Sequence, residues 1–140
     1  MPATREVRLT LWLRATPSQV WSALTDGRRI ARWYTPPHAH ELRKGGNWAF
    51  RDGGSTGRVL ELKRNARFVH SQKDDPDYPV MKLEYTIKPW GKDAVLQVRH
   101  SGFGKNAFVL KCWKGIWPFI GCNLKTFVET GKPLREGSWA

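Results

Sequence analysis

Two histidines separated by one residue form the most metal-like spacing in the chain. His38 and His40 would lie on the same face of a strand, where two imidazoles can bind one metal ion. A metal site needs a third ligand, for which the sequence offers only Glu41 or a distant histidine. Cys112 and Cys122 show neither C-x-x-C nor zinc spacing, and we expect them to be buried thiols in a reducing compartment. We therefore predict two surface or loop histidines here, with no metal or other cofactor.

A third histidine falls where an interior polar group is expected. His100 continues the alternation of Leu96 and Val98, so it should face the covered side of its strand, near the C-terminal helix. In an apolar pocket an imidazole can hydrogen-bond a ligand oxygen or act as a general acid or base. The alternative is a core histidine bonded to a backbone carbonyl. Tyr85 has the same two interpretations, because a buried hydroxyl needs a partner.

The groups that hydrolytic enzymes use are not found in a recognisable arrangement. The chain has no G-x-S-x-G motif and no convincing order of serine, histidine and aspartate, and neither cysteine has an activating neighbour. Glu41, Glu61 and Glu84 fall in predicted strands at positions that look outward, so they do not form a pair for acid–base work. We predict no catalytic residue.

The first third of the chain predicts one strand and two short helices. Period-two alternation indicates a half-buried strand near the N-terminus, with one apolar face formed by Val7, Leu9, Leu11 and Leu13. Thr16 is a good N-cap with Pro17 at the first helical position, and residues 25–27 end this helix. A second short helix, over residues 28–33, ends before the prolines that follow.

Residues 39–101 carry only strand and turn signals. Three short strands separated by Gly-Gly turns are predicted in HELRKGGNWAFRDGGSTGRVLELKRN, then one in ARFVHSQ and a loop in DDPDYP. The strand VMKLEYTIKPW has one apolar face, formed by Met81, Leu83, Tyr85 and Ile87. After a turn at residues 90–93, AVLQVRHSG is the last strand. Antiparallel strands with short connections make a meander.

The last third of the chain changes to a helical period. An apolar stripe with steps of three and four residues predicts one long helix, with the stripe formed by Trp113, Trp117, Ile120, Leu124 and Phe127. Pro118 removes one backbone hydrogen bond if it is interior, so it predicts either a kink or a restart of the helix. Gly131 followed by Pro133 ends the helix.

This order of elements predicts an α+β fold in one domain over residues 1–140. A curved antiparallel sheet of about six or seven strands, in the order β-α-α-β-meander-α, must cover its apolar face, and only the C-terminal helix is long enough to do so. A space remains between sheet and helix unless large side chains fill it. Six aromatic residues either line or fill that space: Trp33, Trp48, Phe50, Phe103, Trp113 and Trp117.

The balance of charge is compatible with an anionic partner, but the spread of the basic residues along the chain favours a solvated basic surface. The net charge is +12, from 24 basic and 12 acidic residues, but the sequence has no run of five basic residues. Because RNP-like, helix-turn-helix and zinc motifs are absent from the sequence, we expect no nucleic-acid partner. The sequence has neither a signal peptide nor an apolar run of membrane-spanning length. We therefore expect a cytoplasmic monomer or homodimer.

Four sequence blocks carry a family resemblance from about Val7 to Leu134. They are TPSQVWSALTD with IARWY, GGNWAFRDGGSTGRVLEL, VRHSGF and WPFIGCNLKTFVETGKPL. In this order they resemble the SRPBCC (START-like, Bet v-like) superfamily, and within it proteins similar to the C-terminal domain of the activator of heat-shock-protein-90 ATPase. The resemblance implies a helix-grip fold, a curved antiparallel sheet wrapped around a long C-terminal helix with a cavity between them. Members bind lipids, polyketides, hormones and other apolar molecules, some catalyse cyclisation, and a eukaryotic branch assists a chaperone.

Three functional hypotheses follow. The first is a non-enzymatic protein that binds a hydrophobic or aromatic small molecule, lipid-like and anionic ones included, between sheet and helix. Its predicted ligand-binding residues are Trp33, Trp48, Phe50, Tyr85, His100, Phe103, Trp113 and Trp117. The second is an interaction or co-chaperone-like module that docks an acidic protein on its basic exterior. The third is a cyclase-type or hydrolase-type enzyme that uses His100 and Tyr85.

Overall fold

The elements of the fold follow the predicted succession of a strand, two short helices, a meander and a long C-terminal helix. The computed structural model describes residues 5–50 and 55–136 of the chain. Their elements are β1 (Val7–Leu13), α1 (Pro17–Thr25), α2 (Gly27–Trp33), β2 (Pro37–His40), β3 (Trp48–Phe50), β4 (Val59–Lys63), β5 (Arg67–Gln72), β6 (Met81–Trp90), β7 (Asp93–Ser101) and α3 (Ala107–Thr130). This architecture confirms the α+β helix-grip fold.

The main sheet is antiparallel and has the strand order β1-β7-β6-β5-β4. The N-terminal strand therefore lies beside the last strand of the meander, with Leu9 opposite Val98. On the next pair of strands Val98 lies opposite Tyr85, and Tyr85 in turn lies opposite Phe68. Because side chains alternate along each strand, these residues form one continuous covered face of the sheet.

The second and third strands form a separate two-stranded sheet, which the sequence did not predict. The strand predicted from His40 onward instead ends at His40. Residues 41–47 close into a turn, since the backbone amide of Glu41 donates to the Asn47 carbonyl at 3.0 Å. The Glu41 carboxylate accepts from the Asn47 amide at 3.1 Å, and Gly45 has a φ of 81°.

Capping interactions define both short helices. The Thr16 hydroxyl accepts from the Gln19 amide at 3.2 Å, and the Gln19 side chain accepts from the Thr16 amide at 2.8 Å. Asp26 ends the first helix and caps the second, where its carboxylate accepts from the Arg28 amide at 2.9 Å. The predicted N-cap at Thr16 is confirmed, and the chain leaves the second helix at Tyr34.

The C-terminal helix is continuous through Pro118, so it does not restart there. Lys114 and Pro118 are both exposed, and the carbonyl that Pro118 leaves without an intrahelical donor can therefore bond water. The predicted stripe is confirmed, since each of its members is buried: Trp113, Trp117, Ile120, Leu124 and Phe127. Gly131 ends the helix with a φ of 82°.

The prediction of buried thiols is wrong, because Cys112 and Cys122 are both exposed. Each lies off the apolar stripe, since an α-helix turns by roughly 100° per residue. Cys112 directly precedes the buried Trp113, and this rotation carries it to the solvent side. Within the part of the chain that the structure describes, no helix is long and apolar enough to cross a membrane.

Candidate functional site

Aromatic rings surround a small cavity between the main sheet, the two short helices and α3. Fourteen side chains line it, and none of these is Lys, Arg, Asp or Glu. Its volume is about 20 Å³, which is enough for one water molecule. The aromatic side chains therefore nearly fill the space that the fold leaves between sheet and helix.

Six of the eight predicted ligand-binding residues line this cavity, and all six are buried: Trp33, Trp48, Phe50, Tyr85, Trp113 and Trp117. The other two, His100 and Phe103, lie outside the lining. Their rings pack on each other with centroids 4.8 Å apart, and His100 also packs against Trp113 at 4.8 Å. Contact between any of these residues and a ligand remains a prediction.

His100 has both ring nitrogens engaged by core side chains. The indole Nε1 of Trp117 donates to its Nδ1 at 3.0 Å, and its Nε2 lies 3.3 Å from the sulfur of Met81. Because an indole N–H can only donate, Nδ1 is the acceptor and Nε2 carries the proton. Burial lowers the pKa of His100 to about 3, so the ring is neutral. His100 is therefore a core histidine, bonded to an indole rather than to a backbone carbonyl.

The histidine that lines the cavity is His70, which the sequence analysis missed. The residue is 2% exposed, and its Nδ1 donates to the Ser71 carbonyl at 3.0 Å. Since that carbonyl can only accept, Nδ1 carries the proton and Nε2 keeps a free lone pair. Burial lowers the pKa of His70 to about 4, so it too is neutral. Among the described residues, none hydrogen-bonds its Nε2.

Two further polar side chains belong to the same part of the lining. The ring of Tyr85 lies 6.1 Å from that of His70, and its hydroxyl has no hydrogen bond from the described part of the chain. Burial raises the pKa of Tyr85 above its usual value, and Tyr34 adds to this effect. Gln72 also lines the cavity and donates its amide to Asp74 at 2.8 Å, while no other described residue hydrogen-bonds its side-chain carbonyl.

The pattern that would have revealed His70 is the one that was applied to His100. Phe68, His70 and Gln72 alternate in the segment ARFVHSQ and share the covered face of β5. All three are buried and line the cavity. The same alternation therefore points to His70 as an interior histidine, but it was applied only to His100, and His70 was not predicted.

Tyr34 is where the cavity comes closest to the surface. It is half-buried, whereas the other thirteen lining residues are buried. Its ring meets Phe50 edge-on at 5.1 Å and lies 5.7 Å from Trp33. We call the Tyr34–Phe50 pair the mouth of the cavity.

The structure brings no further metal ligand from the described residues to the H-x-H pair. His38 and His40 are exposed on β2, and the His40 ring packs on Trp48 with centroids 4.8 Å apart. The His40 Nε2 contacts the backbone carbonyl of Thr25. Within residues 5–50 and 55–136, no three His, Cys, Asp or Glu side chains are placed to share a metal ion.

The glutamates differ from the prediction in one respect. Glu84 lies on the outer face of the sheet as expected, but it is buried, with Arg67 donating to its carboxylate at 2.7 Å. Arg67 also bonds Glu61 at 2.9 Å, so these carboxylates are held by arginine rather than by each other. On the same face, hydrogen bonding from Arg99 lowers the pKa of Glu6, so this face of the sheet carries structural ion pairs.

Comparison with known proteins agrees with the fold. A family model described as Activator of Hsp90 ATPase homolog 1-like protein matches residues 14–129. No curated protein matches the sequence. CalU16 from Micromonospora echinospora has a similar crystal structure, with 26% identity, a TM-score of 0.79, and coverage of 91% of this chain and 76% of that one. Protein CV1439 from Chromobacterium violaceum shares 27% identity at a TM-score of 0.76, over 89% of this chain and 97% of that one.

A more distant structure shares the fold alone. The Aha1 dimer from Colwellia psychrerythraea is 17% identical, with a TM-score of 0.76 over 91% of this chain and 98% of that one. The fold and the family match support, in general terms, a ligand-binding or co-chaperone-like module of the SRPBCC superfamily. Since the match covers most of its length, the chain belongs to the family of Activator of Hsp90 ATPase homolog 1-like proteins.

Proposed function

We propose that the protein binds a small, mainly apolar ligand in the cavity between the main sheet and α3. The observation that carries this proposal is an aromatic, uncharged lining in which two buried residues each have a polar atom that no other described residue hydrogen-bonds. These are the Nε2 of His70 and the hydroxyl of Tyr85. Buried polar groups in proteins are almost always hydrogen-bonded, so an unpaired pair within an apolar cavity is typical of a binding site.

The size of the cavity sets a condition on binding. A volume of about 20 Å³ is far below the several hundred cubic ångströms of ordinary ligand pockets. A bound molecule must therefore displace at least one ring of the lining. We propose that this ring is Tyr34, because it is half-buried, whereas the other lining residues are buried, and it ends α2 rather than lying within a strand. Binding would then open the mouth formed by Tyr34 and Phe50.

The direct test is titration of the protein with compact neutral probes. Toluene and naphthalene should raise the melting temperature and quench tryptophan fluorescence in a saturable way, since Trp33, Trp48, Trp113 and Trp117 line the cavity. Phe50→Trp should abolish both responses by filling the remaining space. If neither of these probes nor phenol shifts the melting temperature up to its solubility limit, the proposal is wrong.

A second pair of variants tests the mouth. Tyr34→Ala should speed association of naphthalene, measured by stopped-flow fluorescence, because the outer ring of the mouth is gone. Tyr78 provides the matched control, since it is also a half-buried tyrosine packed on the core but does not line the cavity. Tyr78→Ala should leave the association rate unchanged. Equal effects of the two substitutions would contradict the assignment of the mouth.

A second candidate function is docking of an acidic protein on the outer face of α3. Residues 102–128 contain four lysines and no acidic residue. Three of these lysines, Lys105, Lys111 and Lys114, are exposed, and Phe108 is 68% exposed beside them. Such a surface, basic with an apolar centre, matches an acidic partner. The Activator of Hsp90 ATPase family makes Hsp90 the first partner to test.

The two candidates predict different variant effects. If docking is the function, purified Hsp90 should hydrolyse ATP faster with the protein present, and the gain should fall as salt rises. The double substitution Lys111→Glu/Lys114→Glu should remove the gain, whereas Phe50→Trp should retain it. No change in the ATPase rate at low salt would exclude this partner. Catalysis by His100 is not favoured, because both of its ring nitrogens are engaged.

A further inference from the structure

We infer that the cavity selects a neutral ligand that carries a hydrogen-bond donor, such as a hydroxyl or N–H group on an aromatic ring. This inference rests on the proposed function and specifies its ligand. It depends on three polar side chains of the lining, His70, Gln72 and Tyr85. Each has one polar atom that no other described residue hydrogen-bonds.

His70 requires a donor from the ligand. Its Nδ1 is occupied by the Ser71 carbonyl at 3.0 Å, so its second nitrogen is a lone-pair acceptor. In an imidazole this nitrogen lies at the end of the ring away from the backbone. On β5 the ring faces the core, and its centroid lies 6.0 Å from that of the Trp48 ring and 6.1 Å from that of the Tyr85 ring. The acceptor therefore lies among the rings that line the cavity.

Gln72 and Tyr85 add to this preference. Gln72 uses its amide on Asp74 at 2.8 Å, and its remaining polar atom is a carbonyl oxygen, a second acceptor. The Tyr85 hydroxyl can donate to a ligand oxygen or accept from a ligand donor. With two pure acceptors and one hydroxyl, the lining matches a phenol or an indole better than an ether or a hydrocarbon.

The charge of the lining explains why the ligand must be neutral. None of the fourteen lining side chains is Lys or Arg, and His70 has a pKa of about 4, so it is uncharged at neutral pH. A carboxylate would be desolvated here while it faces acceptor lone pairs, which is costly. No lining Asp or Glu offers a counter-ion to a cation, and the net charge of +12 repels one. The surplus positive charge of the chain therefore lies outside this site.

The experiment compares phenol with toluene, which has the same shape but no donor. Dissociation constants are measured by ligand-observed NMR or calorimetry for the unchanged protein and for His70→Leu, Tyr85→Phe and His38→Leu. Phenol and toluene differ in hydrophobicity, so the dissociation constant of each ligand is compared between variants rather than with that of the other ligand. His70→Leu and Tyr85→Phe should each raise the dissociation constant of phenol about fivefold, because one hydrogen bond is lost. The dissociation constant of toluene should not change. Retained toluene binding shows that the variants are folded.

The outcomes separate this inference from the proposed function. The exposed His38 is the matched control, so His38→Leu should change neither constant. If His70→Leu and Tyr85→Phe change the dissociation constants of phenol and toluene by the same factor, the inference of donor recognition is wrong, while the cavity still binds ligands. Benzoate or benzyltrimethylammonium binding more tightly than phenol would also overturn the inference. If none of these probes binds, the proposed function itself fails.

Discussion

The indole nitrogen of Trp117 donates to the Nδ1 of His100 across 3.0 Å, and both side chains are buried. This hydrogen bond joins α3 to β7. It also fixes the tautomer of His100, so that Nε2 carries a proton toward the sulfur of Met81 at 3.3 Å. A side chain that resembled a candidate catalytic group in the sequence is thus part of the contact between helix and sheet.

We first predict that Trp117→Phe lowers the free energy of unfolding more than Trp113→Phe does. Both substitutions shorten a buried tryptophan on the same face of α3, but only Trp117 donates to His100. Losing that donor leaves Nδ1 of His100 unpaired in the core, at an extra cost of about 1–3 kcal/mol. Urea unfolding at pH 7 measures the difference.

The double substitution Trp117→Phe/His100→Leu tests the same contact. It removes both polar partners, so its cost should be smaller than the sum of the two single costs. Additive costs would show that the two side chains do not stabilise each other.

Acidification should destabilise the protein well before its carboxylates are protonated. The folded pKa values of His70 and His100, about 4 and about 3, lie below the ordinary value of 6.5. The unfolded chain therefore binds protons first. The stability due to these two residues is complete above about pH 6.5 and is lost as the pH falls toward the folded values. At pH 5 the loss is about 2 kcal/mol per histidine.

Urea unfolding at pH 7, 6 and 5 checks this prediction. Folding lowers the pKa values of glutamates such as Glu6 and Glu129. Their contribution to the free energy of unfolding is therefore lost only below about pH 4.5. Imidazole ¹⁵N shifts should show neutral rings for His70 and His100 at pH 5. A constant free energy of unfolding over this range would contradict the prediction.

Asn123 should be one of the most sensitive polar positions in the chain. It is buried on α3 and donates to the carbonyls of Trp33 at 2.8 Å and Arg135 at 3.0 Å, while its own oxygen accepts from the Arg135 amide at 2.9 Å. Asn123→Leu removes these three hydrogen bonds and should cost about 2–4 kcal/mol. Thermal unfolding measures this loss, and Thr126→Val, at a partly exposed position of the same helix, is the control.

Two glycines should respond to alanine in opposite directions. A Cβ on Gly57 would lie 1.9 Å from the backbone oxygen of Ser71, so Gly57→Ala must push β5 away and should cost more than about 2 kcal/mol. Gly115 lies within α3, with no atom within 4 Å of such a Cβ. Gly115→Ala should therefore stabilise the protein by about 1 kcal/mol. Melting temperatures that move in the same direction for both variants would refute this contrast.

Local signals were enough to predict most of the elements. Thr16 and Pro17 define the start of α1, and the spacing of Trp113, Trp117 and Ile120 defines the buried face of α3. Such features depend on residues within one or two turns of each other, or on alternation along one strand. The exposed Cys112 could have been predicted from the same helical period, because it lies off that stripe.

The separate β2–β3 pair needed information that neighbouring residues do not contain. The segment after His40 has an extended, polar pattern, yet it closes as a turn because the Glu41 carboxylate reaches the Asn47 amide. Whether a short strand joins the main sheet depends on which edge it meets. That choice is made by packing against α2 and β5 rather than by its own residue types.

The sequence by itself determined which side chains face inward, and it placed His70 and His100 on equal terms. Only the tertiary structure decided between them. Trp117 and Met81, from another helix and another strand, occupy both nitrogens of His100, whereas His70 bonds a neighbouring carbonyl and keeps one nitrogen for the cavity. The physical reason is that periodicity fixes the direction of a side chain, while its hydrogen-bond partners come from residues that folding brings together.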